Sequence, residues 1–225
     1  MLIDQNPTVL SYFLSNETPC YGGRESIKIE STRCIAEGDA CNQLNLEFSN
    51  HVGTHIDLPF HFDGKGRNLS QYQANEFIFK ETLVWHAPSH KDEILTPEKF
   101  AGMPTSETAE LLLINTEFYK LRVQKEYWNN NPAFHPDMAN FLREQFPALR
   151  AIGFDTISLT GFQHRPMGKE AHQAFLSAEH SDRPIMIIED MNFDQLKSHS
   201  YSIVIASPLM IEKGDGAQVT VWAFN

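Results

Sequence analysis

Eleven residues, His51-Val-Gly-Thr-His55-Ile-Asp57-Leu-Pro-Phe-His61, place the tightest constraint on what this chain can fold into. Three histidines and one aspartate recur at spacings of four, two and four. Imidazole nitrogen and carboxylate oxygen are the usual ligands of zinc and other first-row metals. A straight strand would put all four on one face but spread them over roughly 33 Å, at about 3.3 Å per residue. A helix would pair His51 with His55, send Asp57 to the far side and break at Pro59. A bent segment brings all four together: a turn near Gly53, where glycine permits a positive φ, then an extended piece, then a kink at Pro59. One histidine alone is usually a packing or surface residue. Four candidate ligands at this density, with Gly and Pro between them, favour a metal site.

Composition narrows the function classes. The chain has 225 residues, 41% of them hydrophobic, enough for a sizeable core. With 29 acidic and 18 basic residues its formal charge is −11, which argues against a nucleic-acid partner, since phosphate binding needs a basic surface. Cys20, Cys34 and Cys41 are odd in number and form no CxxC pair, so neither a disulfide framework nor a thiolate zinc site is expected. The start, Met1-Leu-Ile-Asp-Gln-Asn-Pro7, lacks the pattern of a signal peptide. No apolar run approaches the roughly 20 residues that span a membrane. The expected setting is cytoplasmic, with a small-molecule substrate and neither a membrane nor a nucleic acid as partner.

Along the chain, residues 8–14, 27–29 and 44–49 read as strands, the last alternating as a half-buried strand and leading into the motif. Residues 62–76 read as a loop beside the site, and 77–86 as a strand pair. Thr96-Pro97-Glu98 resembles a helix start. The apolar run 110–115 reads as a buried strand. A helix over 136–146, with Met138, Phe141, Leu142 and Phe146 on one face, and a strand over 150–158 complete a βαβ unit. The aromatic segment 117–134 is expected either to line a pocket or to form a surface loop packed by its own rings. Residues 164–169 read as loop, followed by a short helix from His172. Further strands are expected at 185–189, 201–209 and 217–224, with Lys213-Gly-Asp-Gly216 as the turn between the last two. No linker or repeat interrupts the chain. The pattern is one compact α/β domain over residues 1–225, with a mixed, barrel-like β-sheet and flanking helices.

The motif His-x-Gly-Thr-His-x-Asp-x-Pro-x-His resembles the signature of the cyclase family of metal-dependent hydrolases, which includes bacterial kynurenine formamidases, acting in tryptophan breakdown, and isatin hydrolases. The resemblance implies a swivelling β/β/α fold and an active site completed by a distal histidine and a glutamate. His172, in His-Gln-Ala-Phe-Leu, and Glu189, in Ile-Ile-Glu-Asp-Met-Asn, match those positions, with His164 and His180 as rivals for the distal imidazole. The implied metal set is His51, His55, Asp57, His61, His172 and Glu189. It suits two ions bridged by Asp57, or one ion with His61 left for proton transfer. Zinc is the expected metal, and a mixed N/O shell also admits manganese.

Gly153-Phe-Asp155-Thr-Ile-Ser158 resembles the family's Gly-x-Asp-x-x-Ser stretch. It is expected to form a wall of the site, with Asp155 alternatively capping a turn. His86, His90, His135 and His199 have no motif context. The implied reaction is hydrolysis of a C–N amide bond in an aryl formamide or lactam, with His61, or alternatively Glu189, moving the proton. A lyase or isomerase acting beside a carbonyl, and a non-catalytic metal-binding protein, are the alternatives. The chain departs from the family at Asn115-Thr-Glu-Phe118 and at Asp190. Family resemblance also implies a homo-oligomer, a dimer or tetramer.

Overall fold

A computed structural model describes residues 6–24 and 27–225; part of the segment read for a signal peptide, residues 1–5, lies outside them. The strands are β1 (Thr8–Val9), β2 (Ile27–Arg33), β3 (Gln43–Phe48), β4 (His55–Asp57), β5 (Ile78–His86), β6 (Ile94–Leu95), β7 (Leu111–Asn115), β8 (Ala133–Phe134), β9 (Ala151–Phe154), β10 (Met186–Glu189), β11 (Ser200–Pro208) and β12 (Gly216–Phe224). The α-helices are α1 (Glu126–Asn129), α2 (Asp137–Gln145) and α3 (Arg165–Leu176).

Seven strands close on themselves in the order β4-β10-β9-β7-β5-β11-β12, with β12 pairing back to β4 and β1 added on the edge of β12. The sheet is mixed: β5, β7, β9 and β10 run parallel, and the remaining pairings are antiparallel. Parallel β7 and β9 are joined through α2, as a βαβ unit requires.

The period of two along the central strands builds two cores. Leu111, Leu113 and Ile188 pack with Phe79, Val204 and Val221 in one cluster. Leu112, Ile114, Ile152 and Ile187 turn the other way, onto Met138 and Leu142 of α2 and Phe175 and Leu176 of α3. All five residues of β7 are buried, so its run shows no polar alternation.

Several expectations are corrected. The strand expected over 8–14 is only two residues long. Residues 77–86 form one long strand, not a pair. The 62–76 loop contains two short 3₁₀ turns, and Leu69 from it enters the core. Residues 164–169 are not loop: α3 begins at Arg165, with Pro166 in its first turn, where the missing N–H costs nothing. β2 and β3 form a separate antiparallel hairpin whose side chains are mostly exposed, so the alternation in 44–49 does not mark burial against the barrel.

Candidate metal and active site

The 51–61 segment adopts the bend that its composition requires. Gly53 takes φ 66°, a left-handed conformation that favours glycine, and a Cβ there would also displace a Leu14 methyl 2.4 Å away. β4 follows, with Ile56 in the barrel core and His55 and Asp57 alternating onto the opposite face. Pro59 then opens the 3₁₀ turn Pro59–His61, which carries His61. Antiparallel pairing of β4 with β10 sets Glu189 beside His55. His172 arrives on α3, which approaches closely because residue 168 is glycine: a Cβ there would lie 2.3 Å from the Thr160 side chain.

Four side chains converge in the interior. His55 Nε2 lies 3.4 Å from Asp57 Oδ1 and 3.4 Å from Glu189 Oε2. His172 Nε2 lies 3.6 Å from Asp57 Oδ2 and 3.6 Å from Glu189 Oε1. These separations are long for charge-assisted hydrogen bonds, which sit near 2.7–2.9 Å. The His55 separations are close to the ligand–ligand edge, about 3.4 Å, of a tetrahedron with bonds of about 2.0–2.1 Å, while His172 faces the other oxygen of each carboxylate. The residues are 1–4% exposed, and burying charges costs several kcal/mol per ion unless they are compensated.

The second nitrogens fix the tautomers. His55 Nδ1 lies 2.8 Å from the Gly53 carbonyl, and His172 Nδ1 lies 2.8 Å from the Gly168 carbonyl and 3.1 Å from Thr160 Oγ1. A carbonyl only accepts, so each Nδ1 donates and each Nε2 is directed to the cluster. Metal-ligating histidines are held in this way. Glu189 Oε1 accepts from the Leu159 amide at 2.7 Å and from Ser158 Oγ at 3.3 Å.

A second group adjoins the first. His51 Nδ1 contacts Asp57 Oδ1 at 2.8 Å, and its Nε2 contacts Asp215 Oδ2 at 3.0 Å. The same Asp215 oxygen lies 2.7 Å from His61 Nδ1, while Asn50 Nδ2 donates to Oδ1 at 2.6 Å. His51 and His61 stack with centroids 4.0 Å apart. His51, Asp57 and His61 could hold an ion, as could His55, Asp57 and Glu189, so Asp57 is common to both groups.

Electrostatics follow the contacts. Burial opposes charge on every group, but hydrogen bonds to Asp215 and Asp57 hold His51 up at about 10. Bonds to Asp57 and Glu189 hold His172 up at about 9, and His55 is raised likewise. Asp57 is buried but surrounded by His172, His51 and His55, which hold it well below the usual carboxylate range. Burial, together with the neighbouring His51 charge, pushes His61 down. Without a metal these imidazoles hold protons against the carboxylates, and metal binding displaces them.

Of the rivals for the distal imidazole, the structure brings only His172 to the cluster. His164 faces the Asp92 carbonyl at 3.3 Å, and His180 is exposed in the turn after α3. His86 and His199 pair their rings at 5.4 Å, outside the cleft lining. The aromatic 117–134 segment does not line the cleft. Phe118 and Tyr127 pack against Ile157 behind it, and Trp128 lines a separate hollow. Asp155 caps a turn, accepting from the Thr116 and Tyr119 amides at 2.7 and 3.1 Å, while Ser158 supplies the expected wall. Asp190 is neutralised by Arg122, at 2.7 and 2.8 Å, and bonded by the Tyr127 hydroxyl at 2.5 Å. Sequence reading missed Asp215 and Tyr21, because each lies in a Gly-rich turn that needs no further explanation. The pairing of Gly216 with Asp57 is what delivers Asp215.

The cluster forms the floor of an open cleft of about 340 Å³, walled by Tyr21, Phe62, Ile157 and Thr160. Such a donor set under an open cleft suits a hydrolytic metal centre better than a closed structural site.

Comparison with known proteins agrees with this geometry. The family described as "Putative cyclase" matches residues 8–160. The kynurenine formamidase of Bacillus thuringiensis (strain Al Hakam) is 27% identical over 210 residues, 93% of each chain. That of Bacillus anthracis is 28% identical over 210 residues, again 93% of each. Among solved structures, isatin hydrolase A from Labrenzia aggregata, bound to benzyl benzoate, superposes with a TM-score of 0.77 at 24% identity, over 97% of this chain and 93% of that one. An isatin hydrolase bound to the product analogue thioisatinate gives a TM-score of 0.77 at 17% identity, over 96% and 91%. At these identities the solved structures establish a shared fold.

Proposed function

The chain belongs to the cyclase family, and on that premise we propose that it is a metal-dependent hydrolase cleaving the C–N amide bond of a small molecule, an aryl formamide or a cyclic amide. The observation that carries this reading is the buried cluster of His55, Asp57 and Glu189, whose ligand atoms lie within 4.8 Å of one another, with His172 against the other oxygen of each carboxylate. These residues would hold the first ion. His51 with Asp57 and His61 would hold a second where one binds. The imidazole–carboxylate set favours Zn²⁺ and accommodates Mn²⁺. When bound, such a metal lowers the pKa of water from 15.7 to roughly 7 and polarises a carbonyl oxygen.

The protein groups supply the rest. Asp215 accepts from His61 Nδ1, which leaves Nε2 as the basic nitrogen of a cleft-lining imidazole. Where one ion binds, His61 takes the proton from the attacking water and delivers it to the leaving nitrogen, a role typically worth about 10²–10⁴-fold. We assign this role to His61 in preference to Glu189, because Glu189 is 3% exposed and held by the Leu159 amide.

The kynurenine formamidase relatives make N-formylkynurenine the first substrate to test. Protein reloaded with zinc or manganese should hydrolyse it at kcat/KM of about 10⁴ M⁻¹s⁻¹ or above, and chelated protein should not. Metal content measured on the active protein separates one ion from two. Failure of loaded, folded protein on N-formylkynurenine, simple aryl formamides and lactams alike would overturn the reading.

The whole of residues 1–225 acts, in this reading, as one hydrolase domain. A cytoplasmic setting is supported by Cys34 and Cys41, which form no disulfide among the described residues. Among those residues no helix is long and apolar enough to cross a membrane. A homo-oligomer, dimer or tetramer, is supported by the β2–β3 hairpin, which presents Leu44 and Leu46 at 61% and 54% exposure.

A further inference from the structure

The mouth of the cleft carries groups that metal chemistry does not use. Arg165 and Lys169 both line it, from the first two turns of α3. They stand at i and i+4, and His172 follows at i+7, so the three share one stripe of the helix. At 1.5 Å per residue, Arg165 sits about 10 Å along the axis from His172. The helix thus runs from a metal-binding floor to a cationic rim.

In a chain with a formal charge of −11, basic side chains are readily paired, as Arg67, Arg122 and Arg150 are. Among the described residues neither Arg165 nor Lys169 has an ion-pair or hydrogen-bond partner; the Arg165 guanidinium only lies over the Phe162 ring, 5.0 Å from its centroid. Phe162 in turn packs edge-on against Tyr21, with centroids 5.4 Å apart. The hydroxyl of Tyr21, which also lines the cleft, is a buried oxygen with no hydrogen-bond partner among the described residues. An unpaired buried hydroxyl costs on the order of 1–3 kcal/mol, which a ligand contact would recover.

We propose that Arg165, Lys169 and Tyr21 form a recognition subsite for an anionic substrate: the two cations pair with a carboxylate on the substrate, and the Tyr21 hydroxyl donates to a substrate oxygen. The axial spacing selects compounds whose carboxylate lies several bonds from the scissile amide. The amide then reaches the floor while the acid stays at the rim. This inference rests on the amide-hydrolase reading for its substrate and on the rim geometry for its charge preference.

The test compares 4-(2-formamidophenyl)-4-oxobutanoate with its neutral carboxamide on zinc-loaded protein. The acid should be preferred in kcat/KM by at least about tenfold, mainly through KM, on the scale of a charge-assisted hydrogen bond. The preference should weaken as salt rises. In Arg165→Gln/Lys169→Gln the ratio of acid to carboxamide should fall toward one. Because both residues are exposed, this variant should fold. Tyr21→Phe should raise KM for both compounds and leave their ratio intact.

Calorimetric binding of the corresponding amine products needs no turnover. It decides the subsite even if neither formamide is cleaved, a failure that would count against formamide hydrolysis and not against the subsite. Equal binding of acid and carboxamide, or a ratio untouched in the double variant, would overturn the proposal. Unchanged kinetics in Tyr21→Phe would remove Tyr21 from it.

Discussion

The floor of the cleft and the β2–β3 hairpin depart from the usual placement of polar and apolar groups in opposite senses. At the floor, His55, Asp57, His172 and Glu189 are charged or chargeable and at most 4% exposed. On the hairpin, Leu44, Leu46 and the adjoining Ile35 are 54–61% exposed. Burying an ion costs several kcal/mol. Leaving apolar surface wet forgoes about 25 cal/mol per Å². Both regions would therefore gain from a partner outside the single chain, a cation for one and, in the oligomer proposed above, a second copy for the other. They differ in how strongly each is specified. The floor is fixed from outside by the Gly53 and Gly168 carbonyls, the Leu159 amide and the His51 imidazole, whereas the hairpin is held mainly by its own pairing.

The largest expected effect follows from the shared ligand. Asp57→Asn removes the charge common to both candidate ion positions. Metal-dependent turnover should fall by about 10³-fold or more, since the metal supplies several kcal/mol of transition-state stabilisation. Metal content by mass spectrometry should fall with it. Full activity in this variant would sink the proposed centre.

Asp155 sharpens the contrast by being a buried carboxylate whose partners are amides and a hydroxyl, with no cation among them. Burial dominates, and its pKa is pushed up to about 6. The folded state therefore binds this proton more tightly than the unfolded chain, whose value is 3.8. The stabilising contribution is complete below about pH 4 and is lost as pH rises through 6. Over that window the wild type should lose about 3 kcal/mol relative to Asp155→Asn, read by denaturant unfolding at several pH values. A pH-independent difference between the two proteins would refute the assignment.

Asp215 tests whether the floor depends on its outer contacts. One of its oxygens serves both His51 and His61. Asp215→Asn should cost roughly 10–100-fold in metal affinity or activity, the range for residues that orient ligands. Equilibrium dialysis with Zn²⁺ alongside kcat separates the two losses.

The residues that were legible in sequence are those whose local pattern has a single physical solution. The 51–61 bend is one, since neither a strand nor a helix could gather its ligands, and the 110–158 βαβ unit is another. Asp215 is illegible in sequence because it enters the site where β12 pairs with β4, and it meets His51 across 164 residues of chain. The aromatic segment 117–134 was ambiguous because ring content says nothing about direction; Tyr127 points at Asp155 and Asp190 behind the cleft. The start of α3 resembles a loop in sequence because Pro166 and Gly168 are helix breakers in mid-helix. In the structure one sits in the first turn and the other allows contact with Thr160. Alternation in β3 revealed a face but not what covers it.

That last ambiguity gives the smallest expected effect. β2 and β3 align Ile29 with Leu46 and Ile27 with Phe48, so these residues and Leu44 share one face by the period of two. Leu46 and Phe48 continue into a shallow hollow with Phe13, itself 99% exposed, and Leu209. A surface of this kind is larger and more continuous than the scattered apolar residues normal on a monomer. If a second copy covers it, Leu46→Lys should raise the dissociation constant of the assembly about tenfold, the scale of one interface side chain. Sedimentation velocity across a concentration series reads this directly. Because Leu46 is absent from the cleft lining, metal binding by each chain should be retained. A wild type that sediments as a monomer at all concentrations would leave the hairpin face without its proposed cover. The buried cluster would keep its own, since its ligands come from β4, α3 and β10 of a single chain.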